Sequence, residues 1–394
     1  MSSQRDRGRV YLDHNATAPL RPEARDAMLA ALDLVGNPSS IHADGRAARD
    51  CVETARERVA RLVGAMPSEV VFTSGATEAN NWVLTSGWDR ILISDIEHES
   101  VLIPGRRSTA EIITLPVLTS GEVDVGRVAD HVLCGPCVGR DLVTLQYANN
   151  ETGIVQDVAA VAGFCRAHDV AVHTDAVQAA GRLPLQFDAL NVDFMSISAH
   201  KLGGPKGIGA LIIRDGVTIP SAISGGGQER SRRSGTENVA AIAGFGAAAA
   251  AALRDVSHIS ALQQMRDAFE AELKAIKPEA VIIGEDTLRL ANTSCLAVPG
   301  LRSETLVIKC DLAGFSVSAG AACSSGKASR SHVLMAMGLD DNVVNGAVRI
   351  SLGWTTSKAD LESFLKRWRE LSGGATPLGQ TVRMETSSHR RAFA

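Results

Sequence analysis

The sequence predicts an α/β protein: a mainly parallel seven-stranded sheet with helices on both faces, joined to a smaller α+β domain. Three observations carry this reading. Seven short β-rich runs alternate with helical patterns through the first half of the chain. Several runs are almost continuously apolar, as burial on both faces of a sheet requires. Polar residues cluster at their C-terminal ends, where such sheets hold ligands.

The elements follow in order. Ser40 to Gly64 reads as an amphipathic helix, because Ala48, Val52, Ala55, Val59 and Leu62 or Val63 recur at steps of three and four, and Gly64 fits the stop. The seven runs are EVVFTSG (Glu69 to Gly75), RILISD (Arg90 to Asp95), EIITLPV (Glu111 to Val117), DLVTLQYAN (ending at Asn149), VAVHTDAV (Val170 to Val177), FMSISAHK (ending at Lys201) and GIGALIIR (Gly207 to Arg214). The alanine-rich stretch after Val239 reads as a buried helix, and Asp255 to Ile276 as a more polar one. The pattern restarts at VIIG (from Val281) and continues with SCLAV, a helix over Ser303 to Leu312 and VSAGAACSS. A helix near His332 to Met337, the strand AVRISL and a helix over Lys358 to Leu371 complete it. The expected division is a large domain over 16–254, and a small domain from 1–15 and 255–372. The segment 373–394 has little periodicity and is expected to be a mobile tail.

Composition narrows the function. The 394 residues are 45% hydrophobic and 21% charged, an ordinary globular balance. Forty basic against 44 acidic side chains give a formal charge of -4, which offers no bulk attraction for nucleic acid or an anionic membrane. The N-terminal residues have no apolar stretch like that of a secretory signal, and the longest apolar run, Val239 to Leu253, is short for a membrane span. Seven cysteines argue against a disulfide framework, so a cytoplasmic protein is expected. Only eight lysines face 32 arginines, and the first lysine is Lys201, so any lysine chemistry has few candidates.

Polar groups at the strand ends point to one chemistry. Pyridoxal 5'-phosphate needs a lysine for its Schiff base, an acid beside its pyridine nitrogen and donors for its phosphate. Lys201 ends an apolar run and precedes Leu-Gly-Gly-Pro. Taken alone it also reads as a surface turn lysine. Asp175 ends another run, where a carboxylate is costly unless paired. A pyridinium is one partner, and a helix N-cap is the alternative. Gln178 lies three residues on, within reach of the cofactor's phenolic oxygen. Ser74-Gly75-Ala76-Thr77 forms a strand-to-helix turn whose free amides suit a phosphate, although a capping box would use the same residues. His98 ends a run as well. It is placed to pack on the ring and move protons, or to serve structure.

These residues lie in blocks that resemble the NifS-type cysteine desulfurases of the class V aminotransferase group. The blocks include NPSSIHADGRAAR (Asn37 to Arg49), FTSGATEANN (Phe72 to Asn81), EHESVL (Glu97 to Leu102), NNETG (Asn149 to Gly153) and HTDAVQAAG (His173 to Gly181). They continue with SAHKLGGPKGIGAL (Ser198 to Leu211), GGGQERSRRSGTEN (Gly225 to Asn238), AGAACSSG (Ala319 to Gly326) and VRISLGWTT (Val348 to Thr356). The resemblance covers nearly the whole chain and implies the PLP fold type I. It implies Lys201 as the Schiff-base lysine, Asp175 and Gln178 as partners of the pyridine nitrogen and phenolic oxygen, and His98 as the ring-stacking group. Ala76, Thr77, Ser198 and His200 are implied at the phosphate, with Thr236 reaching the phosphate of a neighbouring subunit in a homodimer. Asn150 and Arg349 are implied at the substrate carboxylate.

The resemblance makes Cys323 the nucleophile. Its setting of small residues is poor core and suits an exposed loop. The implied reaction removes sulfur from L-cysteine, leaves L-alanine and carries the sulfur as a Cys323 persulfide to an acceptor such as an iron–sulfur scaffold. A selenocysteine lyase or a class V aminotransferase is the alternative, and a non-catalytic scaffold a more distant one. Where the family often has Ser-Gly-Ser-Ala-Cys, this chain has Ala319-Gly-Ala-Ala-Cys323, so hydroxyls are lost and small size kept. Outside the family pattern, Cys134, Cys137, Cys165 and His168 could gather at one end of the sheet as zinc ligands, or be unrelated side chains. No metal is expected at the reaction centre.

Overall fold

The computed structural model describes residues 9–134, 139–320 and 330–373. The seven predicted runs form one sheet. The chain enters through a two-residue strand, β1 (Val10–Tyr11). The strands of the large sheet are β2 (Val70–Thr73), β3 (Arg90–Ser94), β4 (Glu111–Leu115), β5 (Asp141–Thr144), β6 (Ala171–Asp175), β7 (Phe194–Ser198) and β8 (Gly209–Ile213). Their order is β2-β8-β7-β6-β5-β3-β4. β4, β3, β5, β6 and β7 are mutually parallel, whereas β8 is antiparallel to both neighbours.

The continuous apolar runs have the reason expected. In β7, Met195 and Ile197 face one buried cluster, while Phe194 faces another. In β8, Ala210 and Ile212 face the first, and Leu211 and Ile213 the second. Side chains alternate at period two, but helices cover both faces, so neither set is polar. The expected α/β class and mainly parallel sheet are borne out.

One face is covered by α1 (Pro22–Leu32), α2 (Ala43–Val63) and the alanine-rich helix Val239–Asp255. α2 starts later than the sequence pattern suggests. The His42 ring accepts from the Gly45 amide and caps the first turn, while Gly64 ends the helix in the left-handed region at φ 65°. The alanine-rich helix is buried because its small side chains let α2 approach. A Cβ on Gly246 would lie 2.5 Å from the Ala55 Cα. The opposite face carries α3 (Ala76–Leu84) and α4 (Glu99–Arg107), which pack together.

A second, antiparallel sheet follows. Its strands are β9 (Val281–Ile282), β10 (Thr293–Ala297), β12 (Ser318–Ala319) and β13 (Ala347–Ser351), in the order β12-β13-β10-β9. β11 (Phe315–Ser316) instead pairs in parallel with β1. Leu12, Phe269, Phe315, Ile350, Phe364 and Trp368 belong to a separate apolar cluster here. The predicted helix over Ser303–Leu312 has the same bounds in the structure. The segment over 255–276 is a 3-10 turn (Val256–His258) followed by the helix Ile259–Ile276. The tail beyond Gly373 lies outside the described residues.

Candidate active site

The C-terminal ends of the parallel strands open into a cleft of about 600 Å³. Ten residues singled out from the sequence line it: Ala76, Thr77, His98, Asn150, Asp175, Gln178, Ser198, His200, Lys201 and Arg349. They come from six separate segments. The sheet order brings β6 and β7 side by side, so Asp175 and Lys201 share one mouth.

Lys201 ends a 3-10 turn (Ala199–Lys201) that directly follows β7. Its ammonium donates to the backbone oxygens of Asn15 and Ala16, the latter at 2.9 Å. Asp175 closes β6 and is 8% exposed. Its Oδ1 accepts from the Val177 amide at 3.0 Å and its Oδ2 from Asn80 Nδ2 at 2.8 Å. Asn80 also donates to Ser100 Oγ at 2.9 Å, and Ser100 Oγ lies 2.8 Å from His98 Nδ1. The Ser100 amide donates to the same ring nitrogen at 3.1 Å, which leaves Nδ1 as the acceptor and assigns a neutral ring's hydrogen to Nε2. His98 therefore caps α4 and is linked through Ser100 and Asn80 to Asp175.

The turn expected at the phosphate is equally local in origin. β2 runs into Gly75, and α3 begins at Ala76 with no side chain capping it. The capping box the sequence allowed is absent; the Ser74 amide donates to Glu78 Oε2 instead, at 2.7 Å. The first turn of α3 thus presents amides toward the cleft, with Ser198 and His200 across from it. His200 accepts from or donates to Thr17 Oγ1 at 3.2 Å. Burial, reinforced by Lys201, Lys206 and Arg182, pushes its pKa down to about 4, so it is neutral near pH 7.

Arg349 stands on β13 and enters the cleft from the second sheet. It is 2% exposed and donates to Asp13 Oδ1 at 2.7 Å and to the Asn150 backbone oxygen at 2.8 Å. Among the described residues its buried Nε has no hydrogen-bond partner. Gln178 donates from Nε2 to the Asn15 backbone oxygen at 3.1 Å, while Arg182 donates to its Oε1.

Two predicted residues stand apart. Thr236 is exposed and lines a neighbouring cavity of about 220 Å³ that shares Ser74 and Gly207 with the cleft. Cys323 lies outside the described residues. The zinc reading gains no support. Cys165 is buried with its thiol pushed up to about 12 by burial and Asp193, whereas His168 is exposed and stacked on Phe164. Cys137 and the Cys134 side chain lie outside the described residues, and among those described no cluster of three or more metal-ligating side chains occurs.

Sequence reasoning missed several residues that shape the cleft. Asn15 receives Lys201 and Gln178 on its backbone oxygen and Arg182 and Asn292 on its side-chain oxygen, and it donates to Thr293 Oγ1 at 2.9 Å. Glu97 is buried, and burial pushes its carboxyl up to about 8, with Asp175 adding to the shift and the Gln146 amide opposing it. Asn80 and Glu97 fall inside blocks already quoted, a signal that could have found them, whereas Asn15 precedes every quoted block.

The donor set fits pyridoxal 5'-phosphate on structural grounds. An uncapped helix N-terminus, a hydrogen-bonded carboxylate, a flat imidazole and a primary amine converge on one cleft, and a buried guanidinium nitrogen there lacks a partner. Comparison with known proteins agrees. Residues 10–364 match the family Aminotransferase class-V. The chain is 39% identical to the cysteine desulfurase IscS of Dictyoglomus turgidum, over 89% of this chain and 91% of the relative. It is 41% identical to a cysteine desulfurase of Cereibacter sphaeroides, over 91% and 94%. Among solved structures, a NifS-like protein from Rickettsia africae superposes with a TM-score of 0.86 at 35% identity, covering 92% of this chain and 99% of that one. The structure of SspA in complex with cysteine superposes with a TM-score of 0.74 at 29% identity, covering 87% and 98%. The cleft, the fold around it and these likenesses agree: the chain belongs to the class V aminotransferase family and, within it, to the NifS-type L-cysteine desulfurases, enzymes that use pyridoxal 5'-phosphate.

Proposed function

We propose that this chain moves the sulfur of L-cysteine onto Cys323 as a persulfide, releases L-alanine, works as a homodimer in the cytoplasm and passes the sulfur to an acceptor protein. The observation that carries the reading is the convergence of ten sequence-selected residues on one cleft. Bound there, the cofactor supplies an electron sink for the pair left at the substrate Cα.

The protein's own groups do the rest. The amides of Ala76 and Thr77, the Thr77 and Ser198 hydroxyls and the His200 ring would hold the phosphate. Asp175 would hold the ring nitrogen's proton, Gln178 the phenolic oxygen and His98 the flat face. Arg349, already fixed by Asp13, would receive the substrate carboxylate beside Asn150. Lys201 would anchor the cofactor and then accept the Cα proton. The Cys323 thiolate attacks the substrate sulfur. The Cβ–S bond breaks, an S–S bond forms, Cβ takes the electron pair and a proton, and Lys201 returns a proton to Cα to give alanine.

The homodimer reading is supported by Thr236, which is exposed beside the cleft rather than in it, and by exposed Leu32 at the end of α1 and Val35 and Ile41 between α1 and α2. The cytoplasmic reading is supported by the described cysteines, Cys51, Cys165, Cys295 and Cys310, all of which are free.

The test is to incubate the purified holoenzyme with L-cysteine and a reductant and to measure alanine and sulfide. Equal amounts from wild type and neither from Cys323→Ala support the persulfide route. Alanine or pyruvate formed equally well by the variant refutes it. Sedimentation of wild type and Ile41→Asp tests the dimer, which the variant should weaken.

A further inference from the structure

Glu151 is buried, yet the roles given so far do not use it. Its carboxylate lies where two distant parts of the chain meet. Oε2 accepts from Ser331 Oγ at 2.6 Å. The same oxygen crowds Gly320, where an added Cβ would lie 2.8 Å from it. Gly320 precedes the segment 321–329, and Ser331 follows it after Arg330. Both ends of the segment that bears Cys323 are therefore seated on one carboxylate oxygen.

Each participant is fixed in turn. Asn149 Oδ1 accepts from the Glu151 and Thr152 amides at 2.8 and 2.9 Å, which sets the turn carrying Glu151. Ser331 Oγ accepts from the Leu334 amide at 3.1 Å and caps the helix His332–Ala336. Ser318 and Ala319, just before Gly320, pair with Arg349 and Val348 of β13. Burial raises the Glu151 carboxyl's pKa, opposed by the Ser331 hydrogen bond and by His332, Arg349 and His98.

We infer that Glu151 is a positioning residue for sulfur transfer, holding in place Gly320 and Ser331, which flank the segment that bears Cys323. The inference rests on the reading of Cys323 as the sulfur acceptor. Chain geometry shows why the seating matters. Cys323 is three residues from Gly320, so their Cα atoms stay within about 10 Å. A shift of about 1 Å in the support of a reacting group can cost on the order of a hundredfold in rate.

The test uses full-length holoenzyme and the variants Glu151→Ala, Glu151→Gln and Gly320→Ala. Three quantities are followed: the cofactor absorbance change on adding L-cysteine, persulfide formed on Cys323 in one turnover by peptide mass, and the rate of Cys323 alkylation without substrate. In Glu151→Ala, the absorbance change should keep its wild-type amplitude and half-saturation, persulfide formation should slow by roughly tenfold or more, and alkylation should change rate. Gly320→Ala should behave likewise, because its methyl displaces the carboxylate. Glu151→Gln retains an oxygen for Ser331 and should restore most of the rate. Wild-type persulfide formation in Glu151→Ala overturns the inference, as does a parallel loss of the absorbance change and persulfide formation. If Cys323→Ala itself yields wild-type sulfide and alanine, the underlying reading of Cys323 has failed instead.

Discussion

Asn80 on α3 donates to Asp175 Oδ2 on β6 at 2.8 Å, and from the same nitrogen to Ser100 Oγ at 2.9 Å. One buried amide thus orients Asp175, proposed to hold the pyridine nitrogen's proton, and, through Ser100, His98, proposed to pack on the ring. Among the described residues its own Oδ1 has no hydrogen-bond partner. Asn80→Leu removes both donations at nearly constant size. Cofactor affinity should fall by roughly 10- to 100-fold, the range of a hydrogen bond to a charged group of about 1.5–3 kcal/mol. Titration of the apoenzyme, followed by absorbance, measures it.

Arg349 should separate substrate binding from cofactor binding. Its guanidinium is fixed by Asp13 and the Asn150 oxygen, with Nε still unpartnered. Arg349→Ala should raise KM for L-cysteine by roughly 10- to 100-fold and leave cofactor affinity near wild type. Arg349→Lys should recover little, because an ammonium does not reproduce the planar fork. Steady-state kinetics with saturating cofactor checks this.

Glu97 gives the fold a signed pH dependence. Its carboxyl, up at about 8 in the fold against an ordinary 4.5, stays protonated at pH 7, and among the described residues its Oε2 has no hydrogen-bond partner. A raised carboxyl contributes stability that is fully present below 4.5 and is lost as pH rises through about 8. Glu97→Gln mimics the neutral acid. Its stability relative to wild type should increase steadily as pH is raised across that window. Buried His173, pushed down to about 3 by desolvation, acts oppositely, destabilising the fold as pH drops below 6.5. The difference between variant and wild type, rather than either urea-unfolding curve alone, isolates Glu97.

The loop bearing Glu229 is fastened by a buried ion pair. Glu229 accepts from Arg56 Nη1 at 2.7 Å and Nη2 at 2.9 Å, and from the Phe72 amide at 3.0 Å. Arg56→Met alone should destabilise by about 3–5 kcal/mol, since it strands a buried carboxylate. The double variant Arg56→Met, Glu229→Met should lose less, because it leaves the Phe72 amide and the Val70 oxygen without these partners but no buried charge. Urea unfolding of the apoenzyme compares them.

What the sequence made legible was local. Lys201, Asp175 and the Ser74–Thr77 turn each follow an apolar run, so their place at a strand end could be read from a few neighbours. The same logic set the helix Ser303–Leu312 and the stop at Gly64. What stayed hidden joins remote segments. Asn15 meets Thr293 and Asn292, Asp13 meets Arg349, and Glu151 meets Ser331; no local period marks such pairs. The direction of β8 was hidden too, because a run buried on both faces looks the same in parallel and antiparallel sheets.

The most direct test of the central claim is the mass of the Cys323 peptide after one turnover with L-cysteine and no reductant. One added sulfur atom on Cys323, released by a reducing agent and matched by one alanine, is the expected result. Alanine formed with no sulfur on Cys323, or sulfur found on another cysteine while Cys323→Ala keeps wild-type yield, would contradict it.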